Sequence, residues 1–112
     1  MSMNIEAVRM ENAVVLKLAG RMDVETTEEF DMACERLLHD GDTRVVVDLT
    51  ELKYISSAGL GSILRFAKKI EAKGGAVPLC GLKGFVKEVF EVTNLITAFK
   101  VYENAEAACR SL

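Results

Sequence analysis

Tryptophan is absent from the chain, and histidine and proline occur once each, as His39 and Pro78. A single histidine excludes a zinc site built on imidazoles, and three dispersed cysteines (Cys34, Cys80 and Cys109) cannot supply four thiolates. The cysteines are odd in number and follow no CxxC spacing, which argues against a disulfide framework and fits a reducing cytoplasm. Glycine patterns that cradle phosphates or sharpen a nucleophile are missing as well: there is no GxxxxGK[ST], no GxGxxG after a strand and no GxSxG. Basic charge is not in excess, because 14 Lys and Arg against 17 Asp and Glu leave a net charge of −3. A general nucleic-acid binder would carry a basic face. No apolar run approaches the ~18 residues of a membrane span, and MSMNIEAVRM lacks the basic-then-apolar order of a secretory signal. These shortages leave no room for a self-sufficient enzyme, a metal centre, a cofactor site or a membrane-inserted protein.

What is present is globular. Half of the 112 residues are apolar and 28% are charged, a balance that disordered chains lack. At this size folding hides roughly two-thirds of the unfolded surface, enough for one core without staples. One domain over residues 1–112 is expected.

The pattern along the chain alternates strands with helices. Asn4–Met10 alternates apolar and polar residues, Glu11-Asn12 supplies a turn, and Val14, Leu16 and Leu18 resume the alternation until Gly20. That reads as an antiparallel hairpin. A first helix follows, with Asp23 or a threonine as N-cap, acids in its first turn, and Phe30, Ala33, Cys34, Leu37 and Leu38 as its apolar stripe. His39, Asp40 and Gly41 stop it. Thr43–Leu49 carries three consecutive valines, the mark of a strand covered on both faces, and Thr50–Ser57 is expected to be a connection. In the second helix Leu60, Ile63, Leu64, Ala67 and Ile70 face inward, while Arg65, Lys68, Lys69 and Glu71 face water, and Gly74-Gly75 ends it. Ala76–Cys80 is a further strand in which Pro78 demands either an edge position or an unpaired amide position. Phe85, Val86, Val89 and Phe90 mark a third helix over Leu82–Glu91, an extended piece covers Ala98–Val101, and a last helix covers Asn104–Arg110. The predicted fold is α/β: a mixed sheet of four to five strands, opened by an antiparallel hairpin and otherwise mostly parallel, packed with about four helices.

One stretch stands apart, Tyr54-Ile55-Ser56-Ser57-Ala58-Gly59-Leu60-Gly61. A strand leads to two serines that open a helix, and strand C-termini beside helix N-termini are where ligands and partners bind in open α/β sheets. Only one of two adjacent serines can cap. If Ser56 caps, Ser57 takes the first helical position with its hydroxyl outward, open to modification. A phosphate there adds about −1.5 to −2 of charge at the positive end of the helix, a placement favourable by ~0.3–1 kcal/mol when exposed. Gly59 and Gly61 each lower helix propensity by up to ~1 kcal/mol. They serve either close helix–sheet packing or the close approach of another protein, and the sequence divides these evenly. Leu60 is expected mostly inward and Ile55 is ambiguous. Ser62, Arg65 and Phe66 are candidate contacts on the exposed side, with partial burial of Phe66 under the last helix as the alternative.

At these residues the chain resembles the STAS domain family, specifically the small bacterial anti-sigma factor antagonists. The resemblance spans nearly the whole chain and rests on the opening hairpin, Gly20-Arg21-Met22-Asp23 matching the family's G-x-[LM]-D corner, Val47-Asp48-Leu49, and Tyr54 to Gly61. It implies a switch. The unphosphorylated antagonist binds an anti-sigma factor that is also a serine kinase and so frees a sigma factor, phosphorylation weakens that complex, and a metal-dependent serine phosphatase restores it. The phosphoacceptor falls on Ser57, ahead of Ser56, which stands where many switching members have aspartate. Asp23, Ser56, Ser57, Ala58, Gly59, Gly61, Ser62 and Arg65 form the implied partner-binding set, in a cytoplasmic monomer or weak dimer. Three other readings exist. The chain could be a non-switching STAS adaptor of a transporter or stress-sensing complex. It could be a receiver-like acceptor using Asp48, although only Asp23 is available as a second acid. An enzyme centred on Cys80 or Cys34 is remote, since both lie on apolar faces.

Overall fold

In the computed structural model, which describes residues 3–112, the apolar alternation of the first twenty residues closes a hairpin. Strand β1 (Met3–Arg9) pairs antiparallel with β2 (Val14–Met22), from Met3 opposite Gly20 to Arg9 opposite Val14. The Met10 amide donates to the Ala13 carbonyl at 2.7 Å to close the turn. Helix α1 (Thr27–His39) crosses back to β3 (Val45–Ile55), which lies parallel to β2. Helix α2 (Ser57–Glu71), the short strand β4 (Leu79–Cys80), helix α3 (Gly84–Val92), a 3₁₀ turn (Leu95–Ala98), strand β5 (Val101–Tyr102) and helix α4 (Ala105–Arg110) complete the described chain. The sheet order is β1-β2-β3-β4-β5, antiparallel only at the first pair.

Two strands run further than their sequence pattern suggests. β2 continues past Gly20 to Met22, and β3 continues past Leu49 to Ile55, so most of the expected Thr50–Ser57 connection is strand. Register shifts explain both: Lys17 faces Asp48 but Ala19 faces Glu51, and Gly20 faces Leu52 but Arg21 faces Tyr54. Each shift inserts one extra residue into β3, a β-bulge. Leu49, Leu52 and Ile55 are therefore all buried although they lie three apart, a spacing that a regular strand would send to opposite faces. Gly20, beside the second shift, has φ 95°, a left-handed backbone that glycine adopts without strain. β4, by contrast, shrinks to two residues and lies inside the sheet, so the edge position offered for Pro78 is not taken. Pro78 stands just before the strand and contributes its carbonyl, which accepts from the Val47 amide at 3.1 Å.

The main core lies under α1, α2 and α3, around Leu16, Met22, Phe30, Val47, Ile63 and Phe90. A smaller cluster on the opposite face joins Val15, Val46 and Cys80 to Ala108 and Cys109 of α4. Helix α2 buries a wider arc than one stripe, because it packs on both the sheet and α1. Ser62 (1% exposed) and Phe66 (3% exposed) belong to that arc, while Leu64 is only half-buried. Phe66 meets Phe30 edge-on, 6.2 Å between centroids and 87° between planes. It is therefore neither an exposed anchor nor a cover beneath the last helix. Ser62 likewise drops out as a surface contact.

Candidate functional site

Met22 and Ile55 are opposed at the C-terminal ends of β2 and β3. The residues that follow them, Asp23 and Ser56, thus leave the sheet side by side, which brings the two motif segments together. The Ser56 amide donates to the Met22 carbonyl at 2.9 Å, tying the corner to the serine segment.

Ser56 is the N-cap of α2. Its backbone is extended (φ −97°, ψ 173°), its Oγ accepts from the Gly59 amide at 3.2 Å, and its carbonyl accepts from the Leu60 amide at 3.0 Å. With the cap filled, Ser57 occupies the first helical position and is exposed. No acidic residue of the 15-residue helix lies in its first turn, so no carboxylate of α2 itself offsets the partial positive charge there. Ala58 and Gly61 are half-buried beside it.

Gly59 resolves toward packing. It is buried, and a Cβ there would come within 2.8 Å of Ile55 Cγ1 and 3.0 Å of Met22 Cγ. This glycine seats the helix start on the ends of β2 and β3 and offers no free surface to a partner. Gly61 differs: a Cβ there would meet only Arg65 Nη1, at 3.2 Å. Arg65 is exposed, donating to Ser62 Oγ at 3.0 Å and lying 3.9 Å from Asp31 Oδ2.

Asp23 does not cap α1; Thr26 holds that position, and its hydroxyl makes no capping bond to the helix but donates to the Arg21 carbonyl at 2.9 Å. Asp23 instead fixes the turn before the helix. Its Oδ1 accepts from the Glu25 amide at 3.0 Å and the Thr26 amide at 3.1 Å, while its own amide donates to Thr26 Oγ1 at 2.8 Å. Desolvation pushes the carboxyl up, but the two amides, the Thr26 hydroxyl and Arg21 outweigh it and hold it below the ordinary carboxylate range.

A neighbouring group was not visible in the sequence. Arg21 lies over the Tyr54 ring, 4.0 Å from its centroid, and Tyr54 stacks on Phe85 at 5.5 Å with 6° between planes. Arg21 and Tyr54 are cross-strand partners next to Asp23 and Ser56, so the stack borders the serine site. Phe85, assigned to the apolar stripe of the third helix, is 48% exposed. It sits one residue into α3, ahead of the buried Val86 and Phe90. Arg and Tyr are enriched among the residues that anchor protein interfaces, and the cation–π contact holds these two in place.

The rival sites fare poorly. Asp48 lies inside β3 rather than at its end, and its Oδ1 is occupied by the Thr50 amide (3.0 Å) and hydroxyl (2.6 Å). All three cysteines are buried. Burial, with Asp48 nearby, pushes the Cys80 thiol up to about 12, and burial also drives Cys34 far above its ordinary value. Neither forms a thiolate nucleophile near neutrality.

Fold and site define the class: a small mixed α/β domain with an exposed serine at a strand-to-helix junction. The chain belongs to the STAS domain family, whose model matches residues 4–108. It is 34% identical over 106 residues to BtrV of Bordetella bronchiseptica, named as a candidate anti-sigma factor antagonist, covering 95% of this chain and 91% of that one. Its fold matches the crystal structure of a candidate anti-sigma factor antagonist from Thermotoga maritima, with a TM-score of 0.89, 23% identity and coverage of 96% and 92%. It also matches the Bacillus cell fate determinant SpoIIAA in its phosphorylated form, with a TM-score of 0.75, 21% identity and coverage of 97% and 100%.

Proposed function

We propose that this chain is a cytoplasmic anti-sigma factor antagonist, a binding module rather than an enzyme. In its unphosphorylated form the start of α2 docks on an anti-sigma factor with serine-kinase activity and so frees a sigma factor for transcription. Phosphorylation of Ser57 weakens that complex, and a serine phosphatase restores it. The carrying observation is the division of labour between two adjacent serines: Ser56 fills the cap, and Ser57 stands exposed at the first helical position. Family membership and the name of the Bordetella relative support the same reading.

The physics favours a switch on the docking surface over an unfolding switch. A phosphate on Ser57 sits where the helix dipole is positive, so the fold tolerates it. The same group adds bulk and about two negative charges to a contact surface, where an unpaired charge must be desolvated on docking. Asp23, Ser56, Ala58, Gly61, Arg65 and the Arg21–Tyr54–Phe85 stack surround that point and make up the proposed contact area.

The test compares Ser57→Ala and Ser57→Asp for binding to the cognate anti-sigma factor. The expected outcome is binding near wild type for the alanine variant and a loss of about 100-fold for the aspartate variant, some 2.7 kcal/mol. Equal binding by the two would leave a non-switching adaptor.

A further inference from the structure

Strand β1 is the outer strand of the sheet, and no described residue pairs with its free edge. Natural edges are usually blunted by proline, by charge or by a covering element. This one carries no proline, and its acidic residue, Glu6, lines a depression with Lys17 and Asp48 on the sheet face away from α1. On the α1 side the edge borders a groove of about 470 Å³, lined by Ile5, Ala7, Met32 and Ala33 with Glu29 and Arg36 among them. Met32 is 66% exposed there.

We propose that this groove is a self-association face, occupied by a second copy of the chain related by a two-fold axis, with β1 pairing antiparallel to β1. The order of charges selects the occupant. Glu29 and Arg36 are seven residues apart and therefore on one face of α1, with Met32 and Ala33 midway between them. A two-fold axis over that midpoint sets Glu29 opposite Arg36 of the second copy and Arg36 opposite its Glu29. Met32 then packs against Ala33 of the other copy in both directions, as an isologous contact requires. The strand obeys the same symmetry. The β1 residues lining the groove run from Met3 to Ala7, with Ile5 at their centre. Pairing about Ile5 sets Met3 opposite Ala7 and Asn4 opposite Glu6, an amide donor facing a carboxylate, and keeps the two Glu6 side chains apart. An acidic or a basic peptide would satisfy one of the two α1 charges and oppose the other, whereas a second copy satisfies both. The groove contains none of the residues around Ser57, so a dimer would present two docking sites.

Sedimentation equilibrium of the full chain, from micromolar to near-millimolar concentration at low salt, tests the proposal. A reversible monomer–dimer equilibrium is expected. Glu29→Arg and Arg36→Glu should each weaken it about tenfold or more, because each converts two attractions into two repulsions. The E29R/R36E double variant should recover wild-type association within a few-fold, with circular dichroism confirming that every variant is folded. A wild-type chain that stays monomeric throughout would overturn the proposal. So would a dimer indifferent to either reversal, or folded single variants whose loss the double variant does not repair.

Discussion

The two ends of the β2–β3 pair are built differently. At the end where these strands begin, Arg9 donates to Asp42 through both terminal guanidinium nitrogens, at 3.0 and 3.1 Å, and Asn12 donates to the Cys109 carbonyl at 3.1 Å. Arg9, Asp42 and Asn12 are thus matched by partners within the chain. At the end where the strands finish, the close fits are backbone and capping interactions, and the groups they position (Ser57, Arg65, Phe85) face solvent. One end is closed by side-chain pairs; the other is held rigid from beneath and left open above. A docking surface needs exposed groups held in a fixed geometry, which that second arrangement supplies.

The largest effect should come from filling the space beneath the open end. Gly59→Val forces branched methyls into Ile55 and Met22, and overpacking of this kind costs about 1–3 kcal/mol. A clear drop in thermal midpoint, with weakened partner binding, is expected in a melting and binding series. Next is Ser56→Ala, which removes the α2 cap and should cost about 1 kcal/mol. Denaturant titration measures that loss, and Ser57→Ala, which removes no cap, should lie within about 0.5 kcal/mol of wild type.

Asp23 gives a pH test of the same corner. Its folded pKa is lowered from 3.8, so the stability it adds is present above that value and fades as pH falls below it. Asp23→Asn should flatten the acid limb of the stability profile and leave the neutral region nearly level. The smallest effect belongs to the closed end: Arg9→Ala breaks an exposed pair and should cost under about 1 kcal/mol. Partner affinity should be unchanged by it, and a loss of binding would mean that the two ends are not independent.

Much of this contrast could be read in the residues themselves. The hairpin, the crossover helices and the mixed sheet follow from apolar spacing. The pair of serines before an apolar helical run is a local signal that needs no tertiary information. Legibility stops where the local period breaks or where a second neighbour intervenes. Leu49, Leu52 and Ile55 sit three apart, so β3 looks finished at Leu49, and only the bulges against β2 make the longer strand intelligible. Ser62 and Phe66 fall outside a one-stripe helix, yet α2 has two neighbours and buries them between itself and α1. Phe85 matches the α3 stripe by spacing but falls outside the arc centred on the buried Val86 and Phe90, and it stacks on Tyr54 instead. The Arg21–Tyr54 contact depends on a register shifted twice, which single-sequence periodicity does not encode.

The most direct measurement starts from the chain after treatment with its kinase and ATP, mapping the phosphate and recording both partner affinity and thermal midpoint. The account predicts phosphoserine at position 57, an affinity at least about tenfold weaker, and a melting temperature essentially unmoved. Phosphate on another residue, or phosphate at Ser57 that leaves affinity intact or melts the fold, would contradict it.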